Sequence, residues 1–238
     1  MANHRRIHAA HPSRRAFLGA AGAALTLAGT PLSAIPVLQR TPRQSLGPFY
    51  PASLPLDSDS DLVQVEGKAG RASGIVTHIT GRVMDERGRV MPAALVEIWQ
   101  CNAFGRYHHP RDRRDAPIDE NFQGYGRTTT GDGGGYRFRT IRPVPYPGRT
   151  PHIHFAVHVP GADPLITQMY VDGEPGNARD GLLNSVRDPR ARESLIVNLY
   201  PAGGGTGELA GEFDLVLAAD GRSARAEPRL LEALRRSV

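Results

Sequence analysis

The stretch HIHFAVHV, residues 152–159, shows the clearest two-residue alternation in this chain of 238 residues. Successive side chains of a β-strand point to opposite faces, so its histidines, His152, His154 and His158, would share one face. The other face would be entirely apolar, with Ile153, Phe155, Val157 and Val159. The apolar face predicts packing against a core. The histidine face is typical either of a polar surface or of a metal site, and the pair His152 and His154 alone does not decide between them.

Short segments of similar strand character recur on both sides of this stretch. Turn signals rich in glycine and aspartate separate them, for example at 85–88, 131–135 and 160–163. About seven short strands with regular turns are typical of a β-sandwich, so we predict an all-β fold of that class. Residues 102–125 predict a long polar loop, and long loops in compact domains are often functional. The predicted strands are 75–84, 95–100, 136–141, 152–159, 166–171, 195–200 and 213–217.

The composition of the chain changes along its length. Residues 1–40 hold five of the 29 basic residues and none of the 24 acidic ones, so the rest of the chain carries no formal net charge. A basic body suited to nucleic acid is therefore excluded. Residues 41–74, rich in Pro, Ser, Asp and Gly, predict an extended arm. We place a β-sandwich domain with the candidate site at 75–220, and a tail at 221–238 whose leucine spacing predicts a short C-terminal helix.

The first 40 residues have the features of an export signal. The sequence SRRAFL at 13–18 precedes a stretch rich in Ala, Gly and Leu at 19–34. This stretch is too short and too weakly apolar for a stable membrane anchor, and a charged start followed by small residues is typical of a secretory signal. The pair Arg14 and Arg15 resembles a twin-arginine signal, which directs folded proteins out of the cytoplasm. We therefore expect a periplasmic or extracellular protein. A disordered basic tail is the alternative.

The residues before the histidines supply further candidates. Residues 143–151 read PVPYPGRTP, and their prolines restrict the backbone of this loop. Such a stiff loop would deliver Tyr146 and Arg149 beside the histidines. A second tyrosine, Tyr107, follows the predicted strand at 95–100. Each tyrosine taken alone is more often a packing residue, and Arg149 alone is compatible with a surface ion pair. Cys101 is the only cysteine, which excludes an internal disulfide and a cluster of thiolate metal ligands.

Taken together, these motifs resemble those of the intradiol ring-cleavage dioxygenases. The resemblance covers residues 46–217 and implies a β-sandwich with long active-site loops. It also implies that a catechol is cleaved by O₂ between its two hydroxyl-bearing carbons to give a cis,cis-muconate, with protocatechuate as the first substrate to expect. The motifs are LGPFYP at 46–51, VEIWQCNAFGRY at 96–107, PYP at 145–147, RTPHIHF at 149–155 and ITQMY at 166–170.

The resemblance also implies a set of roles. Fe³⁺ would be bound by Tyr107, Tyr146, His152 and His154. Ferric iron prefers anionic oxygen donors and lowers the pKa of a bound phenol, whereas two histidines with one carboxylate suggest ferrous iron. Tyr146 would switch from metal ligand to base when the catechol binds. Arg149 would stabilise anionic charge on the substrate ring, and Gln168 would orient the oxygen-side intermediate.

The sequence departs from the protocatechuate enzymes at one wall of the expected pocket. Those enzymes typically carry Trp after the Pro-Tyr-Pro element, where this chain has Gly148, and their loop before the histidines is longer. Both changes predict a reshaped pocket. Two other hypotheses remain: an exported, metal-free binding module of transthyretin or carbohydrate-binding type, and a zinc hydrolase built on His152 and His154. A homo-oligomer and a related partner chain are both compatible with the resemblance.

Overall fold

The computed structural model describes residues 37–55 and 57–219, and in these residues ten strands form two five-stranded sheets. Most of the predicted leader and the predicted C-terminal helix lie outside the described residues. The strands are β1 (Val76–Asp85), β2 (Leu95–Trp99), β3 (Tyr125–Thr129), β4 (Gly135–Ile141), β5 (His152–His158), β6 (Leu165–Val171), β7 (Ile196–Val197), β8 (Tyr200–Pro201), β9 (Leu209–Glu212) and β10 (Leu215–Leu217).

The first sheet is built around β1, the longest strand. One edge of β1 pairs antiparallel with β4. Its other edge pairs in parallel first with β9 and then with β10, and β8 adds to β9. The chain changes over between the two parallel partners at Phe213, whose backbone nitrogen donates to Thr80. A side chain at Gly81 would lie 2.1 Å from the carbonyl oxygen of Phe213, so only glycine fits at this crossing.

The second sheet has the order β3-β2-β5-β6-β7 and carries the candidate residues. In its register Trp99 of β2 lies opposite His154 of β5. His154 in turn lies opposite Gln168 of β6. Residues directly opposite each other in antiparallel strands have their side chains on the same face, so Trp99, His154 and Gln168 form a row across the sheet.

The main core lies between the two sheets. Alternation along β5 directs Ile153, Phe155 and Val157 into this core, where each is fully buried. The opposite face of β5 is buried as well, because the strand is inaccessible from His152 to Val157. That face packs in a second, smaller cluster that includes Trp99 and Ala156.

The arm and the long loop cover this second face. The arm crosses β6, where the backbone nitrogen of Gln44 donates to Ile166, and the hydroxyl of Thr167 donates to Pro42. The loop between β2 and β3 reaches the arm through Arg111, whose guanidinium donates to the Pro48 carbonyl at 2.7 Å. The second face of the sheet is therefore a protected surface on which a reactive site can be built.

Three short helical segments follow β6: a 3-10 turn at Pro175–Arg179, helix α1 at Gly181–Ser185 and helix α2 at Pro189–Glu193. Asp180 is the N-cap of α1, and Asp188 is the N-cap of α2. In the described part of the chain, no helix has the length and apolar character needed to cross a membrane.

The β-sandwich prediction is confirmed, with corrections to individual strands. The structure adds β3 and β9, which were not predicted. The predicted strand at 195–200 consists of two short strands in different sheets, since β7 pairs with β6 and β8 pairs with β9. The predicted strand at 213–217 is shorter and corresponds to β10. Residues 102–124 form the predicted loop.

Candidate functional site

Two tyrosines and two histidines come together on the protected face of the second sheet. The ring centroids of His152 and His154 lie 4.9 Å apart. Tyr146 lies 5.4 Å from His152, and Tyr107 lies 6.2 Å from His154. The two tyrosine rings meet edge to face at 5.8 Å. The structure thus brings together all four residues that the sequence predicts as metal ligands.

His152 is held in one tautomer and orientation. Its Nδ1 lies 2.7 Å from the carbonyl oxygen of Thr150, which can only accept a hydrogen bond. The ring proton is therefore on Nδ1, and Nε2 presents a lone pair towards Tyr146 and Arg149, each 3.4 Å away. A backbone carbonyl on the far nitrogen is the usual arrangement that orients a metal-binding histidine.

His154 is packed from both sides. Trp99 stacks on its ring at 4.8 Å with an interplanar angle of 9°. On another side is Gly47 of the arm, where an added Cβ would lie 3.1 Å from Cε1 of the histidine. Gly47 also has a φ of +76°, a conformation that favours glycine. His154 is 2% exposed, and its Nδ1 has no hydrogen-bond partner.

Tyr107 lies at the start of the long loop and is fixed through its backbone. The Asp112 carboxylate accepts a hydrogen bond from the Tyr107 amide at 2.8 Å, and Phe49 of the arm stacks on the tyrosine ring at 4.7 Å. The Tyr107 hydroxyl is buried without a hydrogen-bond partner. A buried hydroxyl without a partner is costly and calls for an explanation.

Tyr146 lies in a tight turn and is only half-buried. Its backbone pairs with that of Arg149 in both directions, at 3.3 and 2.9 Å. Gly148 lies inside this turn with a φ of +82°, and an added Cβ there would meet no atom within 4 Å. The turn brings the phenol of Tyr146 and the guanidinium of Arg149 to the same side, next to His152.

Arg149 and Gln168 form one hydrogen-bonded unit. The Arg149 guanidinium donates to the Gln168 side-chain oxygen at 2.5 Å, and Gln168 donates to the carbonyl of Ser45 at 3.2 Å. The Arg149 Nε donates to the buried carboxylate of Asp180 at 2.8 Å. Tyr170 also contacts both Arg149 and Gln168. A cation is therefore held rigidly beside the four rings.

Burial disfavours the charged form of all four candidate ligands. Burial raises the pKa of Tyr107 well above its usual value, and it also raises that of Tyr146, although nearby Arg149 opposes this. Burial, with a contribution from Arg149, lowers the pKa of His152 to about 4. Burial and then His152 lower that of His154 far below its usual value. A bound cation reverses the phenol shifts.

The donor set fits a metal ion. The Tyr107 hydroxyl and the His154 Nδ1 are buried without partners, and a cation between the rings would relieve the phenol. In the described residues no group of three or more His, Cys, Asp and Glu side chains could hold a metal. The two histidines therefore need the two tyrosines to complete a metal site in this part of the chain.

Known proteins with the same motifs identify the family. The family model described as Dioxygenase matches residues 46–219. The protocatechuate 3,4-dioxygenase beta chain of Burkholderia cepacia is 40% identical over 192 residues, which cover 77% of this chain and 81% of that one. The chain belongs to the intradiol ring-cleavage dioxygenase family. It is therefore an enzyme of aromatic catabolism that cleaves a dihydroxylated ring with O₂.

Solved structures agree with this assignment of the dioxygenase. An intradiol ring-cleavage dioxygenase from Tetranychus urticae superposes with a TM-score of 0.60 at 25% identity, covering 78% of this chain and 97% of that one. The dioxygenase domain of a carbohydrate-binding fusion protein from Streptomyces sp. SirexAA-E gives 0.58 at 31% identity, covering 75% and 98%. The predicted family is confirmed, and the metal-free binding module is not favoured.

Several residues that organise the site in this dioxygenase were not predicted. Asp180 anchors Arg149, and Arg114 packs on Tyr146. Neither lies in a recognisable motif, although Asp180 precedes a helix, as an N-cap residue does. His158, which the sequence places on the same face as His152 and His154, forms a 2.5 Å hydrogen bond with buried Glu97.

Proposed function

We propose that this dioxygenase binds one Fe³⁺ through Tyr107, Tyr146, His152 and His154 and cleaves a catechol between its hydroxyl-bearing carbons. The observation that carries this proposal is the convergence of two phenols and two imidazoles in one buried place. Two anionic oxygen donors and two neutral nitrogen donors suit a hard trivalent ion. When bound, the iron supplies a Lewis acid that makes the catechol dianionic and electron-rich for reaction with O₂.

Tyr146 is the residue we assign to proton transfer. It is the more exposed of the two tyrosines and lies in a turn stabilised by only two backbone hydrogen bonds, whereas Tyr107 is packed against Phe49. Tyr146 can therefore move aside when a catechol binds and accept one of its two hydroxyl protons on its own oxygen. The second proton would be taken by the solvent hydroxide that the catechol displaces. A base must be within hydrogen-bond reach of the proton that it removes, and a displaced ligand meets that condition.

Arg149 and Gln168 would act on the bound substrate. The Arg149 guanidinium is held by Asp180 and Gln168, so it offers a fixed positive charge at the site without reorganisation. Such preorganised charge stabilises anionic oxygen developing on the ring. We propose that Gln168, held by Ser45 of the arm, orients the oxygen-side intermediate.

For the substrate we propose protocatechuate first. The relative with 40% identity is a protocatechuate 3,4-dioxygenase beta chain. A hydroxyquinol 1,2-dioxygenase from Nocardioides simplex is 30% identical, and this chain spans 62% of its length. An added Cβ at Gly148 would meet no atom within 4 Å, and we propose that this open turn leaves room for a substituent on the ring. Initial rates with protocatechuate, catechol and hydroxyquinol test the order, and a tenfold preference for unsubstituted catechol would contradict it.

We also propose an assembly of more than one chain. The alpha chain of protocatechuate 3,4-dioxygenase from Pseudomonas putida is 28% identical to this chain. Because this chain supplies all four proposed ligands itself, it needs no ligand from a different chain, and we propose a homo-oligomer. Size-exclusion chromatography with light scattering on the purified chain measures the assembly, and an active monomer would contradict this proposal.

The first test of the iron site is its colour. Transfer of charge from tyrosinate to Fe³⁺ gives a broad visible absorption band. We expect the purified protein to contain one iron per chain and to show this band. Replacing His152 or His154 by alanine removes a ligand and should abolish both. A colourless protein with stoichiometric iron would contradict the tyrosine ligands, and stoichiometric zinc would favour a hydrolase.

The second test is Tyr146→Phe. The phenylalanine keeps the ring contacts and removes the oxygen, so the protein should retain iron through three ligands and show an altered band. Loss of a positioned base lowers turnover by roughly 10²- to 10⁴-fold. Turnover is measured by oxygen consumption at saturating catechol. Wild-type turnover in this variant would exclude Tyr146 as the base.

A further inference from the structure

A second arginine lies against the proposed ligands, on the loop between β2 and β3. The guanidinium carbon of Arg114 is 4.3 Å from the ring centroid of Tyr146. It is also 5.8 Å from the ring of Tyr107 and 5.4 Å from that of Phe49. One cation therefore contacts both tyrosine rings, at distances typical of cation–π interactions.

The position of Arg114 is fixed by Asp112. One oxygen of this carboxylate accepts from the Arg114 Nε at 2.7 Å, and the other accepts from the Arg114 Nη2. Asp112 also accepts from the backbone nitrogen of Tyr107 at 2.8 Å. The Asp112 side chain is 1% exposed. The same carboxylate thus sets the backbone of one tyrosine and the cation that contacts the other.

The remaining nitrogen of Arg114, Nη1, is buried and has no hydrogen-bond acceptor. A buried charged donor without a partner is costly unless another group stabilises it. The electron-rich face of Tyr146 is such a group, and it becomes a much better one when the phenol is ionised. The geometry therefore places a buried, incompletely paired positive charge where it would stabilise negative charge on Tyr146.

We propose that Arg114 is a positioning residue that holds a fixed positive charge against the Tyr146 ring and strengthens this tyrosine as an anionic iron ligand. The proposal rests on the iron site proposed above. Arg114 would thus act from the loop side of Tyr146, while Arg149 acts from the histidine side.

The test compares Arg114→Met with Arg113→Met in the full-length, iron-loaded protein. Arg113 is the exposed neighbour in the same loop, so its variant controls for loss of one positive charge. Affinity for Fe³⁺ is measured by competition with a chelator, and the visible band is recorded in the same samples. Arg114→Met should bind Fe³⁺ roughly two- to thirty-fold more weakly, the range expected for loss of one cation–π contact.

The band of Arg114→Met should also move to longer wavelength, because a phenolate without a nearby cation gives up its electron more easily. Arg114→Lys keeps the charge and should fall between the two. The double variant Asp112→Asn with Arg114→Met avoids leaving a lone buried carboxylate and keeps the amide contact to Tyr107. It should show the same shift of the band, so it replaces the single variant if that variant folds poorly.

Three outcomes would overturn the proposal. Identical band position and Fe³⁺ affinity in Arg114→Met and Arg113→Met would show that the cation does not act on Tyr146. An unchanged band with a raised KM for protocatechuate alone would assign Arg114 to the substrate carboxylate instead. A wild-type protein that contains iron but shows no tyrosinate band would contradict both the proposed iron site and this inference.

Discussion

Asp180 makes four hydrogen bonds through its carboxylate and links three parts of the site. One oxygen accepts from Arg149 at 2.8 Å and from the Thr150 amide at 3.1 Å. The other accepts from Leu182 and Leu183 at 3.0 Å and so caps helix α1. Thr150 in turn holds the Nδ1 of His152. Asp180 therefore positions a cation and a proposed ligand.

This arrangement predicts a selective loss in Asp180→Asn. Asparagine is as good an N-cap as aspartate, so α1 should persist, while the charge that anchors Arg149 is lost. We expect turnover to fall roughly tenfold or more, and the free energy of unfolding to fall by about 1.5–3 kcal/mol, typical of a hydrogen bond to a charged group. Both are measured by steady-state kinetics and urea unfolding.

Asp188→Asn is the matched control for this prediction. Asp188 caps helix α2 through Arg190 and Ala191 in the same way, but it is exposed and distant in sequence from the ligands. Its variant should match the wild type in both measurements. Equal turnover in the two variants would show that Asp180 serves only the helix.

The sequence predicted the residues with distinctive chemistry better than those that support them. Tyr107, Tyr146, His152 and His154 stand in motifs, and the structure brings them together with Arg149 and Gln168. Asp180 and Arg114 have no such signal, because their importance comes from contacts across the fold: Asp180 lies 31 residues from Arg149 in the chain, and Arg114 lies on a different loop from Tyr146. Local patterns do not specify such contacts.

The unpredicted strands, β3 and β9, share a physical feature. Each contains a glycine with neighbouring atoms packed closely against it. An added Cβ at Gly126 would lie 2.5 Å from the carbonyl oxygen of Asp59, and one at Gly211 would lie 2.7 Å from Leu199. Glycine weakens the local preference for a strand, so tertiary packing decides these two elements. By contrast, β5 alternates clearly and was predicted to within one residue.

Strand β2 contains a buried carboxylate that the alternation of the sheet places beside the site. Glu97 is 2% exposed and accepts hydrogen bonds from Tyr50, Tyr125 and His158. Tyr50 also packs edge to face on Trp99 at 5.0 Å. The network therefore supports the tryptophan that stacks on His154. Burial opposes ionisation of Glu97, but the hydrogen bonds outweigh it, so its pKa lies below the usual value.

A lowered carboxyl pKa makes the stability of this element depend on pH. The contribution of Glu97 is fully present above its unfolded pKa of about 4.3 and is lost as the pH falls towards the lower folded pKa. Glu97→Gln should cost about 1–3 kcal/mol at pH 7. The difference from the wild type should shrink below about pH 4. Urea unfolding at several pH values measures it, and a constant difference would contradict the network.

On the scale of the molecule, the site exists only in the folded chain. Its proposed ligands come from the long loop, the proline-rich turn and strand β5, and the arm closes it at Gly47. No short segment contains all four donors, so the proposed ligands cannot converge on one ion before the sheets have formed. The only cysteine, Cys101, is buried, and burial raises its pKa to about 11. The fold therefore does not depend on a disulfide.

These properties bear on how the protein would leave the cytoplasm. We propose export through a twin-arginine route, because the proposed iron site needs a finished fold and is best loaded before transport. Replacing Arg14 and Arg15 by lysines keeps the charge of the leader but removes the paired arginines. In a bacterial host with this route, the wild type should be found in the periplasm or medium. The variant should stay in the cytoplasm with its iron and its visible band.

Cell fractionation followed by iron analysis measures both, and replacing Arg5 and Arg6 by lysines is the control. Export of the Arg14 and Arg15 variant at the wild-type level would contradict a twin-arginine signal. If the retained variant is folded but free of iron, the chain folds in the cytoplasm without being loaded with metal there.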